Sequence, residues 1–439
     1  MKARGRLTAA VAILSLLAVA TSLAAAAPAR SMAKARTGQV IGYFIEWGIY
    51  GRNYTVKNVE TSGSANKLTA INYAFANVAP DASGNVACQI ADPWADYAKP
   101  WDAASSVTGQ DVLSGPLLGN FQQLKALKEK HPQLKVLISL GGWTFSKYFS
   151  DAALTKASRE RFVSSCIDMF IKGNLPPSGE QGGPGAAAGV FDGIDIDWEW
   201  PGSEGNAGNI IRPQDKQNYT LLLREFRKQL HAYGKTTHKD YLLTAFLPAS
   251  SDKIKAGFEV PDIFGPLDFG NLQGYDFHGT WEPTTNHQSN LFTSPSDPSS
   301  PRYSDDAVVR EYLRRDAPPK RLVVGVPFYS RGWTGVSAAN NGLYQPGSGA
   351  APGTWEAGVE DYKVAKQFLG AGYTRYQDNQ AGAAWLFNGS TFWTFDDPPV
   401  MAAKADYVRR NRLGGIMFWE LSGDTPNGEL VSAIANGLP

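Results

Sequence analysis

The sequence predicts an α/β chain folded as a (β/α)8 TIM barrel, with a small α+β insertion domain between its seventh and eighth strands. Three observations predict it. Eight short apolar runs alternate with amphipathic stretches over about 400 residues, the pattern of repeated strand–helix units. One run, FDGIDIDWEWP at 191–201, sets acids between apolar residues and so reads as a strand with a reactive interior. The alternation then breaks once, over 330–397, where Gly and aromatic residues dominate.

The chain begins with Lys2, Arg4 and Arg6, followed by an apolar run over 7–27 that ends in alanines. That is the layout of a secretory signal, so cleavage before Pro28 and an extracellular location are expected. An uncleaved anchor is the competing reading, because the run is nearly long enough to span a bilayer; its small-residue end favours cleavage. Residues 28–38 are a short tail, and 39–439 form the barrel. Without the signal the formal charge falls from +1 to −2. A near-neutral protein offers nothing to attract nucleic acid or an anionic membrane, and a monomer is the default state. Of the two cysteines, Cys166 falls with Phe162, Ile167 and Phe170 on one side of a helical pattern. A buried free thiol is therefore expected, with a Cys88–Cys166 bridge as the alternative.

The strands are expected at 40–45, 68–76, 134–141, the acidic run, 241–247, 267–276, 321–328 and 414–421. Amphipathic helices are expected at 120–130, 154–172 and 217–232. The 330–397 segment follows a strand's C-terminal end, the reactive face of such barrels, and can wall a cleft there. The Pro/Gly/Ala-rich stretch at 173–189 precedes the fourth strand and is expected as a mobile surface loop. Twelve tryptophans exceed what a core requires; they fit a groove that stacks on sugar rings, or a Trp-rich core.

Strand alternation puts Asp195, Asp197 and Glu199 on one face and Ile194, Ile196, Trp198 and Trp200 on the other. Neighbours on one face are about 6.7 Å apart. Buried carboxylates that close cannot all stay ionised, so at least one pKa must rise. Glu199 is the last acid before Pro201 and should lie nearest the substrate, as proton donor, with Asp197 and Asp195 beneath. Most glycosidases place two carboxylates across the scissile bond, which one strand face cannot do. A 2-acetamido sugar resolves this, since its own carbonyl oxygen can attack the anomeric carbon.

The run resembles the DGxDxDxE signature of glycoside hydrolase family 18, the chitinases, bacterial type with an insertion domain. Ser139-Leu140-Gly141-Gly142-Trp143 resembles the family's SxGG strand, and Gly274-Tyr275-Asp276-Phe277 its YD motif. GVPFYSRG at 325–332, GGIMFWE at 414–420 and GTWEAG at 353–358 extend the resemblance to the end of the chain. The resemblance implies a chitinase acting on chitin and chito-oligosaccharides with retention, without cofactor or metal. Glu199 would be the acid/base, Asp197 would hold the acetamide nitrogen, Asp195 would share its proton, and Tyr275 would bind the acetamide carbonyl. Tyr43, Asp276, Tyr329, Arg331 and Trp419 would contact the sugar around the scissile bond. Trp143 and Trp281, with Trp47, would stack on further sugars. Ser139 is grouped with these substrate-side residues and is expected to support the acids by a hydrogen bond. Asp192, of opposite parity, reads as structural. Two departures stand out: Gln273 replaces the usual Met, and Ser330 a common Gly.

Blander readings remain open. Trp419 can be barrel core, Tyr275 an interior cap, and Arg331 the partner of an insertion-domain acid. Two other functions compete: a non-hydrolytic chitin-binding lectin on the same fold, against which Glu199 argues, and an N-glycan endo-β-N-acetylglucosaminidase. Acids so spaced can hold Mg²⁺, but hard cations want ligands from several elements. Five histidines without ligand spacing argue against zinc and against a Ser-His-Asp hydrolase.

Overall fold

A computed structural model describes residues 38–438 and Met1; the expected signal and most of the tail lie outside the described residues. Eight strands form a closed parallel barrel: β1 (Gln39–Ile45), β2 (Ala70–Pro80), β3 (Lys135–Gly141), β4 (Gly193–Asp197), β5 (Leu242–Leu247), β6 (Phe269–Leu272), β7 (Leu322–Pro327) and β8 (Gly415–Trp419). Each pairs with the next, and β8 returns to β1 through Gln39–Gly415 to Gly42–Phe418. All eight fall where the sequence places them. Helices at Gly119–Lys130, Lys156–Cys166 and Asp215–Thr237 match the three amphipathic stretches. Their apolar sides, with the outward strand residues, make one continuous core. Among the described residues, no helix is long and apolar enough to cross a membrane.

The segment after β7 forms a six-stranded sheet, antiparallel at each pairing, from Tyr329–Thr334 to Phe392–Phe395, with short helices between. Trp333, Val336, Leu343, Trp385, Phe387 and Phe392 make a small core of its own. Several of its aromatics are thus absorbed in packing, while Trp355 stays exposed. Ser330 is buried and donates to the Glu360 carbonyl, fastening the first strand to its neighbour.

Two expectations need correction. Cys88 and Cys166 form a disulfide, with Cα atoms 5.0 Å apart. β2 runs on past the barrel and pairs antiparallel with Val86–Gln89. That extra strand lies against the helix Lys156–Cys166, where the Cys88 amide donates to Ser165 Oγ. Apolar periodicity marks both cysteines as buried but cannot reveal that they face each other. The 173–189 stretch, expected as a loop, holds a hairpin, Leu175–Ser178 against Gln181–Gly183. Tyr97 donates to the Pro176 carbonyl, and the Gly182 amide to the Pro116 carbonyl. Pro116 lies just before the helix Gly119–Lys130, so the hairpin climbs the outer wall. Its Pro and Gly residues serve the hairpin's turns.

Candidate active site

The site is built upward from Asp195 in the middle of β4. This carboxylate is fully buried and accepts four hydrogen bonds from four other strands. Tyr43 Oη and Ser139 Oγ donate to Oδ2, each at 2.8 Å. Thr244 Oγ1 and Asn271 Nδ2 donate to Oδ1 at 2.5 and 3.3 Å. Burial pushes its pKa up, and the four donors pull it back. Ser139 and Tyr43 thus hold Asp195 from β3 and β1. Ser139 is fully buried, and its hydroxyl is one of these four donors to Asp195.

Asp197 ends β4. Its Oδ1 is buried without a hydrogen-bond partner among the described residues. Burial first, then the charges of Glu199 and Asp195, hold its pKa well above the carboxylate range. The environment of Asp197 thus favours its neutral form. Glu199 lies two residues beyond the strand. Its amide donates to Ser146 Oγ at 2.9 Å, and its carbonyl accepts from Asn209 Nδ2 at 2.9 Å. Burial raises the Glu199 pKa to about 8; Lys253 opposes the rise and Asp276 adds to it. A carboxyl with that value still carries its proton at neutral pH.

The close approach around Asp197 explains the paired glycines of the SxGG strand. A Cβ on Gly141 would lie 2.4 Å from the Asp197 carbonyl oxygen, and one on Gly142 2.6 Å from the Phe75 ring. Both have positive φ, 104° and 70°.

Aromatic rings form the rest of the surface. Trp419, at the end of β8, is only partly buried. It stacks on Phe75 with centroids 5.6 Å apart and meets Tyr43 at 5.2 Å and Trp47 at 6.4 Å. Tyr275 follows β6, its ring stacked on Phe246 and edge-on to Tyr329. The Tyr275 hydroxyl makes no hydrogen bond among the described residues. Asp276 Oδ1 accepts from Tyr329 Oη at 2.7 Å and from Arg331 Nε and Nη2 at 2.9 and 2.7 Å. The partner of Arg331 is thus a barrel acid, not an insertion-domain one. Arg331 also covers the Trp281 ring at 5.1 Å. Trp47, Trp143 and Trp281 are 40, 51 and 57% exposed. Gln273 Oε1 accepts the Ala249 amide at 3.3 Å, and Asp192 pairs with Lys128 on the opposite face.

Several residues at the site escaped the sequence reading: Thr244, Asn271, Ser146, Asn209 and Lys253. Thr244 and Asn271 left a signal, as polar residues at interior parity in apolar strands. Ser146 and Asn209 come from loops and Lys253 from the short helix Ser251–Gly257, and these three left none.

The Glycosyl hydrolases family 18 profile matches residues 39–424. The chain belongs to glycosyl hydrolases family 18. It is 38% identical over 437 residues to chitinase A1 of Niallia circulans, covering 91% of this chain and 58% of that protein. The chain spans less than two thirds of the first curated relatives it matches. A solved structure, the catalytic domain of psychrophilic chitinase B from Arthrobacter TAD20, superposes with a TM-score of 0.86 at 46% identity, covering 91% and 95% of the two chains. A family 18 N-acetylglucosaminidase from Paenibacillus barengoltzii matches at 0.69 and 30%, covering 91% and 100%.

Proposed function

We propose that this chain is a secreted chitinase that cleaves β-1,4-linked N-acetylglucosamine polymers with retention, using the substrate's acetamide as nucleophile. The observation that carries this reading is the one-sided acid stack. Glu199 stands at its open end, where burial raises its pKa to about 8. The other nearby carboxylate, Asp276, is committed to Tyr329 and Arg331 through one oxygen. Among the described residues, then, no second free carboxylate faces Glu199 as the nucleophile that a two-carboxylate mechanism requires.

Glu199 gives its proton to the glycosidic oxygen as the C1–O bond breaks. The acetamide carbonyl oxygen of the same sugar bonds to C1, forming an oxazolinium ion. Asp197 passes its proton toward Asp195, and the resulting carboxylate accepts the acetamide N–H and balances the positive charge. Tyr275 donates its hydroxyl to the acetamide oxygen and fixes it for attack. Trp419 supplies the apolar floor beneath the sugar, and the exposed tryptophans extend the cleft. Water, deprotonated by Glu199, then attacks C1 from the face the leaving group vacated. Secretion is supported by the basic-then-apolar start of the chain and by the Cys88–Cys166 bridge, which suits an oxidising compartment.

Glu199→Gln should lower chitobiose release from chitotetraose by about 10²–10⁴-fold while binding persists. Wild-type protein inert on chitotetraose would sink the enzyme reading, and release of N-acetylglucosamine alone would replace it with an exo-acting one. Products read at early time should carry the β anomer; inversion rules out the acetamide route.

A further inference from the structure

Lys404 lies on the helix Pro398–Arg410, in the outer layer after the insertion domain. It is completely buried. Its ammonium pairs with Asp396 Oδ2 at 2.7 Å and Asp305 Oδ2 at 3.1 Å. It also donates to the Ser289 carbonyl at 2.6 Å and to Ser289 Oγ at 2.5 Å. Ser289 Oγ in turn donates to the Gly274 carbonyl at 2.6 Å. Gly274 immediately precedes Tyr275.

A buried lysine is costly, and two acids plus a serine are more than its neutralisation needs. What the arrangement adds is a fixed point. One ammonium gathers the end of the insertion domain's last strand (Asp396), the start of the helix Asp305–Leu313, and the loop carrying Ser289. Through Ser289 it reaches the backbone beside the reactive tyrosine. The other side of Gly274 is equally tight: a Cβ there would lie 1.9 Å from the Gly325 carbonyl oxygen and 2.6 Å from Asp305 Oδ1. Downstream, Asp276 is held by Tyr329 and Arg331. Tyr275 therefore sits between two pinned residues. Its hydroxyl has no partner among the described residues to fix it directly, so backbone pins set where it points.

We propose that Lys404, acting through Ser289 and the Gly274 carbonyl, is a positioning residue for Tyr275. The proposal rests on the reading of Tyr275 as the group that meets the acetamide. A small rotation at Gly274 swings the far end of the ring, and a displacement of 1 Å at a reacting group can cost about 10²-fold in rate.

Ser289→Ala tests it, because Lys404 keeps both ion pairs and the Ser289 carbonyl, so the fold should survive. With chitotetraose, kcat should fall about tenfold while KM stays within about twofold. Lys404→Met should fall further, with a lower Tm. In a Tyr275→Phe background, Ser289→Ala should cost nothing more, since the group it positions is gone. Unchanged kcat in Ser289→Ala, a rise in KM alone, or the same loss in both backgrounds overturns the relay. Full activity in Tyr275→Phe alone overturns the reading of Tyr275 beneath it, and the relay with it. Impaired Tyr275→Phe beside fully active Ser289→Ala overturns the relay only.

Discussion

Lys253 holds its ammonium 5.2 Å from the centroid of the Trp200 ring, the residue that follows Glu199. Its charge is the influence that pulls the Glu199 pKa down against burial. The cation thus keeps the acid near neutrality, where it can both give and retake a proton.

The pH profile should report this. As proton donor, Glu199 must be protonated, so kcat should fall as pH passes about 8. Lys253→Met removes the cation, raises the Glu199 pKa, and should move that alkaline limb upward by up to about one pH unit. Profiles of kcat on chitotetraose measure the shift; a limb that stays or moves down contradicts the assignment.

A second acid pair should make stability depend on pH. Glu46, in the turn after β1, is buried against Asp96 in the turn Trp94–Ala98. Burial with the Asp96 charge raises Glu46 to about 11; burial raises Asp96 to about 7, opposed by its hydrogen bond from Tyr73. Below the ordinary carboxylate range both states are protonated and nothing is lost. Between there and the raised values the folded state binds more protons than the unfolded chain, so stability falls as pH rises. Thermal melts should show Tm declining from about pH 5 toward pH 9. Glu46→Gln, which keeps the shape of the neutral acid, should flatten that decline. An equally steep decline in the variant would remove Glu46 as its source.

The disulfide closes a loop of 78 residues. A chain-entropy treatment gives about 4.5 kcal/mol for such a loop, an upper figure because engineered bridges often deliver less. Replacing Cys88 and Cys166 by Ala should lower Tm clearly. Activity on chitotetraose at 25 °C should stay near wild type, because the bridge joins the β2 extension to an outer helix. Matched melts and rates check both halves.

Metal removal should leave activity intact. Both Asp195 oxygens are already taken by four donors, and the proposed chemistry needs only a proton and an acetamide. Rates in excess EDTA equal to untreated protein are expected; a loss restored by Mg²⁺ overturns this.

The barrel was legible because buried parallel strands are apolar runs, and eight of them survive any uncertainty at their ends. The acid stack was legible because alternation alone assigns Asp195, Asp197 and Glu199 to one face. What could not be read depends on which strands are neighbours. Thr244 and Asn271 become donors to Asp195 only once β5 and β6 close beside β4. Cys88 meets Cys166 only because β2 overruns the barrel. Ser146 and Asn209 hold Glu199 from two loops far apart in sequence, and no local pattern records that. The hairpin at Leu175–Gly183 was hidden by composition, since Pro and Gly serve turns and loose loops alike.

Tyr329 and Arg331 begin the first strand of the insertion, yet both end on Asp276. The insertion is therefore not a cassette that can be excised or exchanged at will. A graft from another chain must carry a tyrosine and an arginine at those two positions, or it arrives with a wall and without the hinge pins that seat it.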